Sequence, residues 1–216
     1  MRHSSTELND QSTQVQTRDR IVEAARQLFF ERGYTATGIA DVLKAADANS
    51  GSLYHFFPSK EDLLVAVLEK YQRMLEPQVL KPAFARTKDP IERLFKILEG
   101  YRLLLETTDF QLGCPIGNLA LEVSNSHTKA RTLIVENFQA WCEAVRGLIA
   151  EAGDRLPSDL DSEGFATHVL ATMEGAVMLA RAYRSFEPFD KTINQLKDYI
   201  RRLLRERSAT KRRRTS

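Results

Sequence analysis

Apolar residues along this chain recur at intervals of three and four, and runs that alternate at every second position are almost absent. That spacing places side chains on one face of an α-helix, so an all-α fold of about nine helices is expected. Ile21, Ala24, Ala25, Leu28 and Phe29 form the first clear stripe, ended by Gly33. Thr37 is a suitable N-cap for a helix from about Gly38 to Ala45, carrying Ile39, Val42 and Leu43. Leu63, Leu64, Val67, Leu68 and Tyr71 mark a later helix that should fade before Pro77, and Pro82 and Pro90 point to a connection. Beyond it, Ile91, Leu94, Phe95, Leu98, Tyr101 and Leu105 define one helix, and Leu133, Phe138, Trp141, Val145, Leu148 and Ile149 a longer one that stops near Gly153. No internal repeat is present.

Between the first stripe and Leu63 the pattern tightens. Asp47 tolerates a left-handed backbone and can make a turn, and Asn49 can cap a short helix from Ser50 to His55. Two short helices joined by a tight turn are the layout of a helix-turn-helix DNA reader. Leu53, Phe56 and Phe57 can anchor the second helix, which leaves Ser50, Ser52, Tyr54 and His55 to reach a groove, with Gly51 and Ser52 small enough for close approach. No carboxylate lies between Asp47 and Glu61, as a surface that faces phosphates requires. Pro58 ends the helix, and Ser59-Lys60-Glu61-Asp62 reads as a capping box, which sets Lys60 at a helix N-terminus where a phosphate is attracted. The same spacing also suits a helical hairpin without a ligand.

Charge refines this picture. The net charge is only +2, and residues 1–60 hold seven basic and seven acidic groups, whereas 197–216 hold nine and two. Recognition of DNA must then come from local placement, not from bulk attraction. The polar first sixteen residues and the basic end, Lys211-Arg212-Arg213-Arg214, are expected to be irregular. The expected organisation is an arm over 1–16, a helix-turn-helix domain over 17–65, a larger helical domain over 66–206 and a tail over 207–216. No apolar run is long enough to span a membrane, no signal-peptide core is present, and two cysteines make no disulfide framework, so a cytoplasmic location is expected. The four histidines have no metal-ligand spacing, and neither a phosphate loop nor a nucleophile elbow occurs. No cofactor, metal or catalytic residue is therefore expected, and the chain is not read as an enzyme.

Gly33-Tyr34, Thr37, Ile39-Ala40, the run Gly51 to Phe57 and Pro58-Ser59-Lys60-Glu61 resemble the N-terminal domain of the TetR/AcrR family of transcriptional regulators, with the likeness running from about Thr17 to Leu68. The resemblance implies a three-helix DNA-binding domain whose third helix reads the major groove, an effector-binding remainder and a homodimer. Carried over by position, Thr37, Ser50, Ser52, Tyr54, His55 and Lys60 fall on the family's DNA-contacting positions. One departure is Asp47-Ala48, where the family has a glycine and a branched apolar residue. Gly113-Cys114-Pro115-Ile116-Gly117-Asn118-Leu119 is similar to a segment of the LmrA/YxaF-like regulators within that family.

Three further expectations follow. Phe165, Val169, Met173, Ala176, Val177 and Ala180 form one stripe and Ile193, Leu196, Ile200 and Leu203 another, and the two can pair with a second copy in a four-helix interface or cover the chain's own core. An effector pocket would draw on Phe95, Tyr101, Phe110, Cys114, Asn118, Glu122, Phe138, Trp141, Met173 and Met178, each of which also suits ordinary packing. Cys114, beside a helix start, is either a thiol responsive to electrophiles or a small buried hydrophobe. The expected function is a repressor that binds a pseudopalindromic double-stranded operator as a dimer and is released by a small apolar or aromatic effector. The alternative is a small-molecule or thiol-based sensor without sequence-selective DNA binding.

Overall fold

The computed structural model describes the backbone of residues 3–214 and the side chains of residues 14–204. Among the described residues there is no strand, and nine helices of seven residues or more are joined by one single-turn helix. In order they are α1 (His3–Arg32), α2 (Ile39–Ala46), α3 (Ser50–Phe56), α4 (Lys60–Met74), the single turn α5 (Lys81–Phe84), α6 (Pro90–Thr107), α7 (Pro115–Val123), α8 (Thr128–Ala152), α9 (Ser162–Tyr183) and α10 (Glu187–Arg214). The backbone is helical from 3 to 16 and from 207 to 214, where an irregular arm and tail were expected, and the ends of those segments lie outside the described residues. Neither stretch contains a glycine or proline, so each continues a helix already started by packed turns. The expected connection at Pro77 is also helical, because a π-helical turn over Leu75–Leu80 takes in a residue that has no N–H to donate.

Two compact units divide the chain: Met1–Tyr71 with Asn118–Val135, and Gln72–Gly117 with Glu136–Ser216. This differs from the expected boundary near residue 65, since a segment from mid-chain joins the first unit.

In the first unit, Ile21 and Ala25 of α1, Val42 of α2, Leu53 of α3 and Leu63, Leu64 and Leu68 of α4 are fully buried. Each such leucine contributes roughly 1.5–3 kcal/mol by leaving water. Helix boundaries follow the capping groups. Gly38, not Thr37, is the N-cap of α2, and its N–H donates to Asp41 Oδ2 at 3.1 Å. Asp47 leaves α2 in the left-handed region (φ 47°, ψ 56°), and Ala48 N–H closes the turn onto Leu43 O at 3.1 Å. Arg20 braces that turn by donating to Asp47 O at 3.3 Å. Asn49 Oδ1 caps α3 by accepting from Ser52 N–H at 2.8 Å. Ser59 and Asp62 form a reciprocal capping box at the start of α4.

In the second unit, α6 starts at a strong signal, Asp89 Oδ1 accepting from Ile91 and Glu92 N–H with Pro90 in the first turn. Its core joins Leu94, Leu98 and Leu105 of α6 to Trp141, Val145 and Leu148 of α8, the Phe165–Ala180 stripe of α9, and Phe189, Ile193, Leu196 and Ile200 of α10.

Candidate DNA-reading surface and effector site

The short helix α3 sits in the first unit by its apolar side alone. Leu53 is fully buried and Phe57, at the C-cap, nearly so, with the Arg18 guanidinium 5.4 Å from the Phe57 ring. The opposite side presents Ser50, Gly51, Tyr54 and His55 to solvent, with Ser52 half-buried; Tyr54 is 52% exposed. Gly51 leaves room for the cap, since an added Cβ would stand 3.3 Å from Asn49 Oδ1. A polar, carboxylate-free helix face of this size matches what a groove of DNA accepts.

Two residues expected on this surface are placed otherwise. Thr37 is 1% exposed, and its hydroxyl donates to Gly33 O at 2.7 Å and to Leu28 O at 3.3 Å, so it cannot touch DNA and instead ties the α1–α2 loop to the end of α1. Lys60 is half-buried, with Nζ donating to Tyr34 O at 2.6 Å and lying 4.2 Å from the Tyr34 ring centre. Burial lowers its pKa, against an opposing pull from Glu122. A phosphate would have to share an ammonium already engaged within the unit.

Glu122 was expected in an effector pocket, and it serves the reading unit instead. Its carboxylate accepts from the backbone N–H of Tyr34 at 2.9 Å and of Thr35 at 2.5 Å. Gly33 (φ 86°) makes this possible: a Cβ there would stand 3.1 Å from Glu122 Oε2. Burial raises the Glu122 pKa, but the bonds from Thr35 and Tyr34 and the charge of Lys60 together outweigh it, so the carboxyl titrates below its ordinary value of 4.5. The neighbouring His127 ring lies 3.3 Å from the Tyr34 hydroxyl, and Lys129 pairs with Asp62 at 3.8 Å. The loop before α2 is thus held by residues about ninety positions later in the chain.

The remaining effector candidates divide. Tyr101 of α6, Cys114 before α7, and Trp141 of α8 come together in the second unit, joined by an acid that sequence reasoning missed, Glu174 of α9. Met173 is fully buried in the core beside it, and Phe138 is half-buried on α8. Phe95 faces Lys197 and Phe110 packs on Phe186 at 4.6 Å, which places both in other contacts. Asn118 belongs to the first unit. Met178 is 57% exposed and lines no interior site. The glycines around Cys114 are explained by α9: a Cβ on Gly117 would collide with the Glu174 carboxylate, and one on Gly113 would stand 2.9 Å from Arg181 Cδ. An acid in the middle of an otherwise apolar helix was the available signal for Glu174.

Cys114 is buried, and burial followed by the Glu174 charge pushes its pKa well up, despite the opposing backbone N–H groups of Gly117 and Ile116 at the start of α7. Desolvation therefore overrides the helix terminus, and the thiol stays protonated. This removes the physical basis for reading it as a reactive sensor. A separate open cavity of about 470 Å³, lined by Phe165, His168, Tyr199 and Leu203 among others, contains none of the effector candidates.

The expected dimer stripes are also corrected. Phe165, Val169, Met173, Ala176, Val177 and Ala180, with Ile193, Leu196 and Ile200, are all buried in the chain's own core, with Leu203 half-buried against it. The opposite face of α9 is open: Ala171, Met178, Leu179, Ala182 and Tyr183 are exposed, and a Cβ added to Gly175 between them would meet nothing.

Among the described residues, no group of three or more metal-binding side chains occurs, and no helix is long and apolar enough to cross a membrane. Residues 21–67 match the domain family of bacterial regulatory proteins of the tetR type, and residues 90–195 match the C-terminal domain of LmrA/YxaF-like transcriptional regulators. An HTH-type regulator of Mycobacterium tuberculosis, itself described as uncharacterised, is 32% identical over 88% of this chain and 97% of its own length. The transcriptional repressor DhaR of a Mycobacterium species is 30% identical over 81% of this chain and 87% of its own. A solved TetR regulator from Chloroflexus aurantiacus superposes with a TM-score of 0.76 at 30% identity, covering 88% of this chain and 96% of that one. The chain belongs to the TetR family and is a DNA-binding, ligand-responsive transcriptional regulator.

Proposed function

We propose that the protein is a repressor that binds a pseudopalindromic operator as a homodimer in the cytoplasm and is released by a small, largely apolar effector. The carboxylate-free exposed face of α3 carries this reading: Ser50, Gly51, Tyr54 and His55, with Ser52 at its edge, contact the groove. Lys60 and Thr37 support that face from within and are not groove contacts. The open face of α9, from Ala171 to Tyr183, meets its copy in the dimer, and the twofold fixes the half-site spacing. Effector binds beside Tyr101, Trp141 and Glu174, and its preference for one arrangement of the chain lowers affinity for DNA. Repression, in place of activation, is supported by the repressor DhaR among the relatives.

Fluorescence anisotropy with the DNA upstream of its own gene tests the reading. Tyr54→Ala combined with His55→Ala removes two exposed side chains, so folding should be unaffected while operator affinity falls by about tenfold or more, with roughly 1–3 kcal/mol lost per base contact. Undiminished affinity and sequence preference in the double variant sinks the proposal.

A further inference from the structure

Where the chain passes from α8 to α9 it leaves an open cavity of about 470 Å³ beside α10, room enough for a molecule of about one or two rings. Its floor is apolar: Phe165 of α9 is 6% exposed, and Leu203 of α10 packs against the core. Tyr199 of α10 stands on the wall, its ring stacked 6.2 Å from Phe165 and at right angles to His168, 6.1 Å away. Three aromatic rings thus border one cavity. The rim carries Asp159 and Asp161, on a short loop whose shape is fixed by its own bonds. Leu160 N–H closes a turn onto Pro157 O at 3.2 Å, and Asp161 Oδ1 caps α9 by accepting from Gly164 N–H at 3.0 Å. Gly164 gives that carboxylate its place, since a Cβ there would collide with Asp161 Oδ2. Neither acid is paired with a cation among the described residues. No lysine or arginine lines the cavity among those residues, and Arg155, the only basic residue of the loop, pairs with Asp89 at 2.7 Å.

The walls select an occupant by the sign of its charge. An anion would meet two carboxylates and the negative faces of the rings. A neutral apolar molecule would suit the floor and leave the acids unused. A cation over Tyr199 gains from the ring and from both acids, while an apolar body behind it covers Phe165 and Leu203. We infer that this cavity binds a small organic ammonium ion with an aromatic or apolar body, its charge held by Tyr199 and the Asp159 and Asp161 carboxylates. The site shares no residue with Tyr101, Trp141 and Glu174 or with the open face of α9 from Ala171 to Tyr183, so it adds a second class of ligand to the regulator.

The full-length protein is titrated with 2-phenylethylammonium, 2-phenylethanol and phenylacetate, which share a skeleton and differ in charge, and the His168 ring resonances are followed by NMR. His168→Gln identifies those resonances among the four histidines. The ammonium is expected to saturate the shift at a concentration about tenfold below the alcohol, the ratio that one exposed cation–π contact and two screened carboxylates give together, with phenylacetate weaker still. Asp159→Asn with Asp161→Asn removes both charges and keeps a capping side chain on α9, so folding should persist while the preference falls to about threefold. Adding Tyr199→Leu should remove the rest. The comparison of probes in the unaltered protein needs no variant to fold. Binding of the ammonium no tighter than that of the alcohol overturns the inference, as does an undiminished preference in the double variant or the lack of a saturable shift with the ammonium. A His168 resonance that moves with protein concentration and not with probe would put a second copy in the cavity and overturns it too. Operator affinity does not enter this readout, so the failure of either proposal leaves the other standing.

Discussion

Replacing Glu122 by alanine isolates the tie between α7 and the loop that precedes α2. The carboxylate accepts two backbone N–H groups, at 2.9 and 2.5 Å, and either bond to a charged acceptor would contribute roughly 1.5–3 kcal/mol in a dry setting. Glu122 is solvent-exposed, so screening reduces the pair to about 1–2 kcal/mol. Hydrogen exchange at the Tyr34 and Thr35 amides reads this locally, and both should exchange about 5–30-fold faster in Glu122→Ala. The Ser52 amide, held by Asn49, is the internal control and should not change. Because the folded Glu122 pKa is depressed below 4.5, its contribution is complete above that pH and is lost as pH falls through the folded value. Protection at Tyr34 and Thr35, corrected for intrinsic exchange, should therefore weaken in the unaltered protein under acid conditions and not in the variant. Unchanged protection of both amides in Glu122→Ala would refute the tie.

Three other outcomes are expected. Asp47→Gly relieves a left-handed aspartate and should stabilise the protein by about 1 kcal/mol, seen as a Tm higher by about 2–4 °C, and an unchanged or lower Tm contradicts it. Glu23 is drawn down to about 2 by its bond to Arg26 and by Lys70 of α4, so the urea-midpoint difference between the unaltered protein and Glu23→Gln should be full above pH 4.5 and shrink as pH falls from 4.5 toward 2. A difference independent of pH would exclude the ion pair as its source. Gly175→Arg adds a charged side chain at a position where a Cβ meets no neighbour, on the helix side that carries the exposed Met178 and Leu179, so the protein should stay folded by circular dichroism yet become monomeric by light scattering. A persistent dimer would place the interface elsewhere.

Local chemistry made much of the reading unit legible. Asn49, Ser59-Asp62 and Asp47 are capping and turn residues whose roles depend on bonds within a few positions, and each performs the role that its type suggests. Thr37 misled because a threonine near a helix start can face either way, and its partners, Leu28 O and Gly33 O, are carbonyls that residue type does not reveal. Glu122 lay beyond reach for another reason: its acceptors' donors are 87 and 88 residues away, and an acid in an apolar helix looks alike in a pocket or on a loop. The α9 stripe shows the limit of periodicity. Spacing identified the apolar face, but burial in the chain's own core left the weaker face, with Gly175 and Met178, open to a partner. Glu174 stood out in residue type within that stripe, but its contact with Cys114 and Gly117 joins elements about sixty residues apart, which spacing does not reveal.

The grouping of Asn118–Val135 with the first seventy-one residues has a consequence for how such regulators can be recombined. A head cut at residue 71, within the last turn of α4, leaves behind Glu122, His127 and Lys129, the side chains that contact Tyr34, Thr35 and Asp62. Grafting residues 1–71 onto a foreign sensor would transplant α3, the helix proposed to enter the groove, without the brace on the loop before α2. A working chimaera of this protein needs three junctions, at 71/72, 117/118 and 135/136, and the mid-chain insert must travel with the head, so specificity here is inherited as a split cassette.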